Sequence, residues 1–454
     1  MPDSNSTNAT EAPTREIGDW IASFDGAELG AVPIRWAKHC LLDWLGVTLA
    51  GSNDPLVDIL VDDAISTGES GQSPLVGRGT RTTQSFAAMI NGAASHALDY
   101  DDVNKRLHGH PTVPVLPALL AIAEQNGASG RDLLEAFCVG YEVECLIGEM
   151  MGLAHYDHGW HATATVGTFG AAAGASRLLG LNANQATMAI GIAGTQAAGL
   201  KSMFGTMCKP LHAGKAAMNG LMAARWAGRG FTSRIDVLEC VQGFGLTQST
   251  EFTPLPIRPN SNALYAVEQN LFKYHAACYL IHSSIEAANS LRDQYEFTPA
   301  DIATISTHVA PGHRSVCDIP EPKTGLEVKF SIRHCIAMAL SGLDTSDDNA
   351  YTNEIASRDD LKALRRKVDV NATATDNRYA AELNIKLING RELSTTADVG
   401  LPATDLDAQE ARLIGKFTRL AKPVIGQDRA TTTINLVRDL ENQNNINALI
   451  KSVE

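Results

Sequence analysis

Apolar residues recur at helical spacing through most of the first 270 positions. The pattern predicts helices over 33–51, 55–66, 82–97, 113–126, 129–150, 164–180, 183–200 and 210–228. Pro210 suits a first helical turn, and Asn184 is placed to cap a helix starting near Gln185. Glycine and alanine are dense over 164–224, as in GTFGAAAGAS and AGKAAMNGLMAA. Small side chains let helix backbones approach, so a tight central helix cluster is expected there. The run Gly167-x-x-Gly170-x-x-x-Gly174 belongs to that packing. No strand precedes it and no acidic residue follows at the distance a dinucleotide fingerprint needs.

The pattern changes after about 270. A helix is expected over 275–293, and then short alternating segments begin. Ile302–Val309 and Ala381–Ile388 read as strands, with Asn389-Gly390 as a two-residue hairpin turn and 391–395 returning. Helices near 326–342 and 359–367 fall between them, and from about 406 the chain is helical again. The predicted fold is mainly α. A large all-helical domain is built from both chain ends (14–270 and 398–454), with a smaller inserted α+β lid domain at 271–397. The cleft between the two is the default place for a small molecule. The polar first residues, 1–13, read as a disordered tail without the basic start and apolar run of a secretory signal.

Charge and cysteine content narrow the function classes. The chain has 454 residues with Lys+Arg 37 against Asp+Glu 51, a formal charge of −14. Such a field repels nucleic acid and anionic lipid, so neither is an expected partner. The longest uncharged stretch, 178–200, contains Asn182, Asn184, Gln185, Thr187, Thr195 and Gln196, which suits a buried core helix better than a membrane span. Eight scattered cysteines without a C-x-x-C read as reduced cytosolic thiols, so the expected compartment is the cytoplasm.

Four segments carry candidate chemistry. The first is His96-Ala-Leu-Asp99-Tyr-Asp101-Asp102 followed by His108-Gly-His110-Pro-Thr112. It admits three readings: acid–base work by His110 with Asp99 orienting it, a divalent-metal site on the aspartates, or caps and surface histidines. The second is Trp160-His161 at a presumed helix start, where burial and the positive end of the dipole favour a neutral imidazole base. The alternative is a packed core histidine. In the third, Lys209 stands at the edge of the helix opened by Pro210, and His212 and Lys215 share a face. Amides, dipole and ammonium together would hold a substrate carboxylate; a solvated lysine is the alternative. The fourth, Lys273-Tyr-His275-Ala-Ala-Cys278-Tyr-Leu-Ile-His282, lies at the predicted domain junction, and Lys329 and Arg333 are either carboxylate clamps or surface charges. No G-x-S-x-G, Walker loop, H-E-x-x-H or paired C-x-x-C is present. Histidines, a carboxylate and placed lysines suit proton transfer beside a carboxylate group.

At these segments the chain resembles the MmgE/PrpD family, which includes 2-methylcitrate dehydratases, cis-aconitate decarboxylases and iminodisuccinate epimerase. The matching stretches are HALDYDDVNKRLHGHPT, GWHATATVGTFGAAAGASRLLGL, GTMCKPLHAGKAAMNGLMAA, KYHAACYLIH and KTGLEVKFSIRHC, in family order over about 14–440. The resemblance implies a helical domain with an α+β lid, a homodimer, and catalysis with no metal and no organic cofactor. It places the family's active-site aspartate on Asp99, its histidines on His110, His161 and His282, and its lysine on Lys209. The expected catalytic set is therefore Asp99, His110, His161 and Lys209, with His212, His282, Lys273 and Arg333 binding a small anionic carboxylic acid. Two departures stand against decarboxylation: Val103 replaces a threonine, and no tyrosine lies between Tyr295 and Tyr351, where Cys317 is the nearest candidate. The eleven-residue separation of Asp99 and His110 resembles the epimerase. The expected function is a lyase of the 2-methylcitrate dehydratase kind. The alternatives are an epimerase, a decarboxylase, a metal-dependent hydrolase, and a carboxylate-binding protein without catalysis.

Overall fold

The computed structural model describes residues 12–258, 263–375 and 377–454. The chain forms two compact units: one runs to Phe272 and resumes over Asp405–Glu454, and the other is Lys273–Thr404. Among the described residues no helix is long and apolar enough to cross a membrane.

The tail expected over 1–13 lies outside the described residues except at its last two positions, and there it ends early. Helix α1 (Pro13–Ser23) begins at Pro13, with Pro13 and Thr14 both buried. Proline lacks the amide that a first turn leaves unpaired. The Thr14 hydroxyl donates to Glu239 at 2.5 Å and accepts from the Leu238 amide at 3.1 Å, which pins the start.

The first unit continues with α2 (Ala31–Gly51), α3 (Pro55–Ser66), two-residue strands β1 (Ser73–Pro74) and β2 (Arg81–Thr82), α4 (Gln84–His96), α5 (Thr112–Ala123) and α6 (Gly130–Asp157). Then come α7 (Ala162–Leu178), α8 (Ala183–Gly194) and α9 (Cys208–Gly228). Helix α7 is central: Ala162–Ser176 are buried, and it packs against α5, α6, α8 and α9. Where α4 crosses α9, glycine allows backbone contact. A Cβ on Gly92 would lie 2.8 Å from the Gly214 Cα, and one on Gly214 would lie 2.1 Å from the Met89 carbonyl oxygen. This crossing joins the helix that His96 ends to the helix whose first turns carry Lys209 and His212.

The cap of α8 is Asn182 rather than the expected Asn184. The Asn182 side chain accepts from the Gln185 amide, and the Gln185 side chain answers back. The helix stops at Gly194, short of the expected 200, where a Cβ would press on Val237 at 2.7 Å.

The second unit carries a four-stranded sheet in the order β4-β3-β5-β6. Strand β3 is Ile302–Val309, β4 Val368–Ala372, β5 Ala380–Leu387 and β6 Glu392–Asp398. β3 pairs parallel with β4 and antiparallel with β5, and β5 forms the expected hairpin with β6 around Asn389-Gly390. The helix expected over 275–293 starts only at His282. The Ala276 amide donates to the Thr345 carbonyl and the Cys278 amide to the Lys329 carbonyl, so the preceding backbone is committed elsewhere.

Candidate active site

The loop between α4 and α5 holds a dense polar cluster. Asp99 adopts a left-handed backbone, φ 52°, and so does His108, φ 55°. That conformation costs about 1 kcal/mol for a residue with a Cβ, although Asp and His tolerate it best. It turns three neighbouring aspartates in three directions.

Asp99 faces the start of α9, where its Oδ1 accepts from Lys209 Nζ at 2.8 Å. The same oxygen is 3.7 Å from His110 Nε2. Asp101 turns inward and serves two imidazoles: His96 Nδ1 at 2.8 Å and His110 Nδ1 at 2.9 Å. Burial opposes the Asp101 charge, but His110 and His96 outweigh it and hold its pKa well below the usual carboxylate range. Asp102 turns to the core, accepting from Thr112 Oγ1 at 2.5 Å and Asn270 Nδ2 at 2.8 Å. Burial, and then the Asp43 charge, push Asp102 up to about 7. Asp43 itself is paired with the buried Lys416 at 2.6 Å, and Lys416 also donates to the Tyr100 carbonyl at 2.8 Å. The loop is thus held from below by its own backbone.

His161 is the residue before α7, and its amide donates to the Gly199 carbonyl at 3.0 Å. Its ring lies 5.7 Å from His96 and 4.9 Å from Phe204, and its Nδ1 is 3.1 Å from His212 Nδ1. Burial, then the surrounding imidazoles and Lys209, hold His161 well below the ordinary histidine pKa. Burial and Lys209 lower His212 as well, and burial lowers His96 to about 4. The His110 amide donates to Thr163 Oγ1 at 3.0 Å, tying the loop to α7.

The helical unit therefore brings Asp99, His110, His161, Lys209 and His212 together. It adds two residues that sequence reasoning left out of the site, His96 and Asp101. Both stand in the motif that attracted attention. Asp101, nearer to His110 than Asp99 is, orients the ring. The remaining candidates belong to the second unit. His282 begins a helix, donates its Nε2–H to the Ala277 carbonyl at 3.2 Å, and is lowered well below its ordinary pKa by burial, then by His275 and Lys273. Lys273 is buried. Arg333 is engaged by Asp318 at 2.8 Å and by the Val368 carbonyl, so its guanidinium is already committed within its own unit. Cys317 is fully buried, with its thiol on the His313 carbonyl at 3.4 Å.

His96, Asp99, Asp101 and His110 offer ligand atoms within 4.8 Å of one another. A cation placed there would meet the Lys209 ammonium already on Asp99, and Asp101 would have to give up two imidazoles. The donor set fits proton exchange better than metal ligation.

Residues 15–254 match the MmgE/PrpD N-terminal domain, and residues 275–442 match the MmgE/PrpD C-terminal domain. The chain is 26% identical over 476 residues to a cis-aconitate decarboxylase of Aspergillus terreus, covering 98% of this chain and 96% of the relative. It is 28% identical over 431 residues to the cis-aconitate decarboxylase of Homo sapiens, covering 90% and 87%. The Mus musculus protein of the same name is 26% identical over 442 residues, covering 92% and 88%.

Proposed function

The chain belongs to the MmgE/PrpD family, and on that premise we propose that it is a lyase acting on a small di- or tricarboxylic acid through proton transfer beside a carboxylate. The observation that supports this reading is the meeting of one ammonium, one half-buried carboxylate and two differently placed imidazoles around Asp99 and Lys209.

His161 is the base. Held neutral, it needs only a free lone pair: when its Nδ1 donates to His212, Nε2 carries that pair. Lys209 stabilises the negative charge that develops on the substrate carboxylate as the carbon acid ionises. His110 is the acid. A proton on its ring is matched by Asp101 at 2.9 Å, and its Nε2 points to the Asp99–Lys209 pair. If the β-carbon bears a hydroxyl, the carbanion expels it with the proton from His110, which is dehydration.

Epimerisation is the second reading, favoured by the presence of an acid and a base without any requirement for a leaving group. Decarboxylation is the activity in the names of the relatives, and it would use His110 to protonate the carbanion left by carbon dioxide.

Proton NMR in deuterated water decides among them, with methylcitrate, citrate, cis-aconitate, iminodisuccinate and 2-hydroxy acids. Loss of water from one of these acids is the expected result. Inversion or release of carbon dioxide selects the other branches. Tight binding of an acid in calorimetry with no turnover or exchange of any of them overturns the proposal.

A further inference from the structure

Helix α9 begins in the acid–base cluster and ends in a second concentration of positive charge that the proton chemistry does not use. Arg225, in the last turn of the helix, and Arg229, its C-cap, are four residues apart, the spacing of neighbours on one side of a helix. Both line a recess of about 320 Å³. Neither guanidinium has a hydrogen-bond or carboxylate partner among the described residues. Other arginines of this acidic chain are matched: Arg35, Arg81, Arg106, Arg177 and Arg333 all lie within ion-pair distance of carboxylates.

Arg225 is half-buried, and burial together with the neighbouring Arg229 lowers its pKa. Like charges at this spacing repel. The negative end of the helix dipole eases that repulsion. It does not account for a concave surface in front of the two guanidiniums. The rest of the wall divides by polarity. Asn126 presents a side-chain amide that makes no hydrogen bond among the described residues, while Ile122, Leu179 and Leu181 are apolar.

We propose that this recess binds a small organic anion, its oxyanion head between Arg225 and Arg229 and its apolar body against Ile122, Leu179 and Leu181. Guanidinium forks match carboxylate and phosphate oxygens in pairs. No lining residue belongs to the acid–base cluster, and along α9 the sixteen residues from Lys209 to Arg225 span about 24 Å. The ligand therefore binds without competing for the catalytic groups.

Titration calorimetry on the full chain tests this with inorganic phosphate, hexyl phosphate and hexanoate, each at low and at physiological salt. One site is expected for the tailed anion whose head fits, and the comparison of hexyl phosphate with hexanoate identifies the head. Inorganic phosphate is expected to bind at least about tenfold more weakly than the tailed anion, because it leaves the apolar wall uncovered. Arg225→Gln and Arg229→Gln should each weaken binding about tenfold or more, and Arg225→Lys should do so too, because a point charge replaces the fork. The double glutamine variant should lose the site while its turnover and melting temperature stay at the wild-type values. Absence of heat for both tailed anions up to about 10 mM overturns the proposal. So does undiminished affinity in the double variant, which would place the anion elsewhere.

Discussion

Each unit of this molecule holds a pair of touching histidines, and the two pairs differ in what surrounds them. In the helical unit His96 and His110 have ring centroids 4.6 Å apart and share the buried carboxylate of Asp101. In the α+β unit His275 and His282 are 5.0 Å apart. There, His275 Nδ1 meets the Thr345 hydroxyl at 2.8 Å, His282 meets a backbone carbonyl, and the nearby carboxylate, Glu286, is partly exposed. In the first pair the buried Asp101 carboxylate reaches both rings, the arrangement that the acid role proposed for His110 requires. In the second, the half-buried Glu286 stands 3.3 Å from His275 Nε2, and the Thr345 hydroxyl and the Ala277 carbonyl fix the ring orientations. Histidine spacing alone does not separate these roles; the position of the carboxylate does.

The comparison can be broken by experiment. The largest effect is expected from Lys209→Met, which should slow exchange of the substrate proton by about 10³ or more, read by NMR, with melting temperature nearly unchanged. Asp101→Asn comes next: kcat/KM should fall by about 10²–10⁴, as when a histidine loses its orienting carboxylate. Glu286→Gln in the second pair should cost less than about tenfold, and equal losses in steady-state kinetics would erase the distinction drawn here.

The last prediction concerns stability. Asp102 is raised from 3.8 to about 7, with Asp43, Asp101 and Lys416 as its charged neighbours. The folded protein keeps this proton over a range where the unfolded chain has lost it. The contribution is therefore full below about pH 4 and declines as pH rises towards about 7. Asp102→Asn should remove the decline, a difference on the order of 1 kcal/mol per pH unit across that window in denaturant titrations. Parallel pH profiles for the two proteins would contradict it.

Much of this was legible in the order of residues, for physical reasons that differ by region. Strand β3 reads at its true limits because Ile302, Ile305 and Val309 are buried on a partly covered sheet. The hairpin reads because Asn-Gly accepts the backbone that a two-residue turn demands. Strand β4 is missed: Val368 and Val370 are its only apolar alternation before the polar Asn371. Helix α1 is missed because its apolar face is thin, with Ile17, Trp20 and Ile21 as its only large apolar residues. The late start of the helix at His282 is set by carbonyls of Thr345 and Lys329, far along the chain. In the site, the motif was visible but its internal division was not. Three aspartates in four positions look equivalent until the left-handed turn at Asp99 sends one to Lys209, one to the imidazoles and one to Asn270.

The crossing of α4 and α9 at Gly92 and Gly214 has a consequence for how such a scaffold diversifies. With main chain against main chain and no cushion of side chains between, the two rods have no room to slide, so the spacing from His96 to Lys209 is a fixed gauge. New substrates must then be accommodated by exchanging residues at the rim, and drift in the helices themselves is closed off as an evolutionary route.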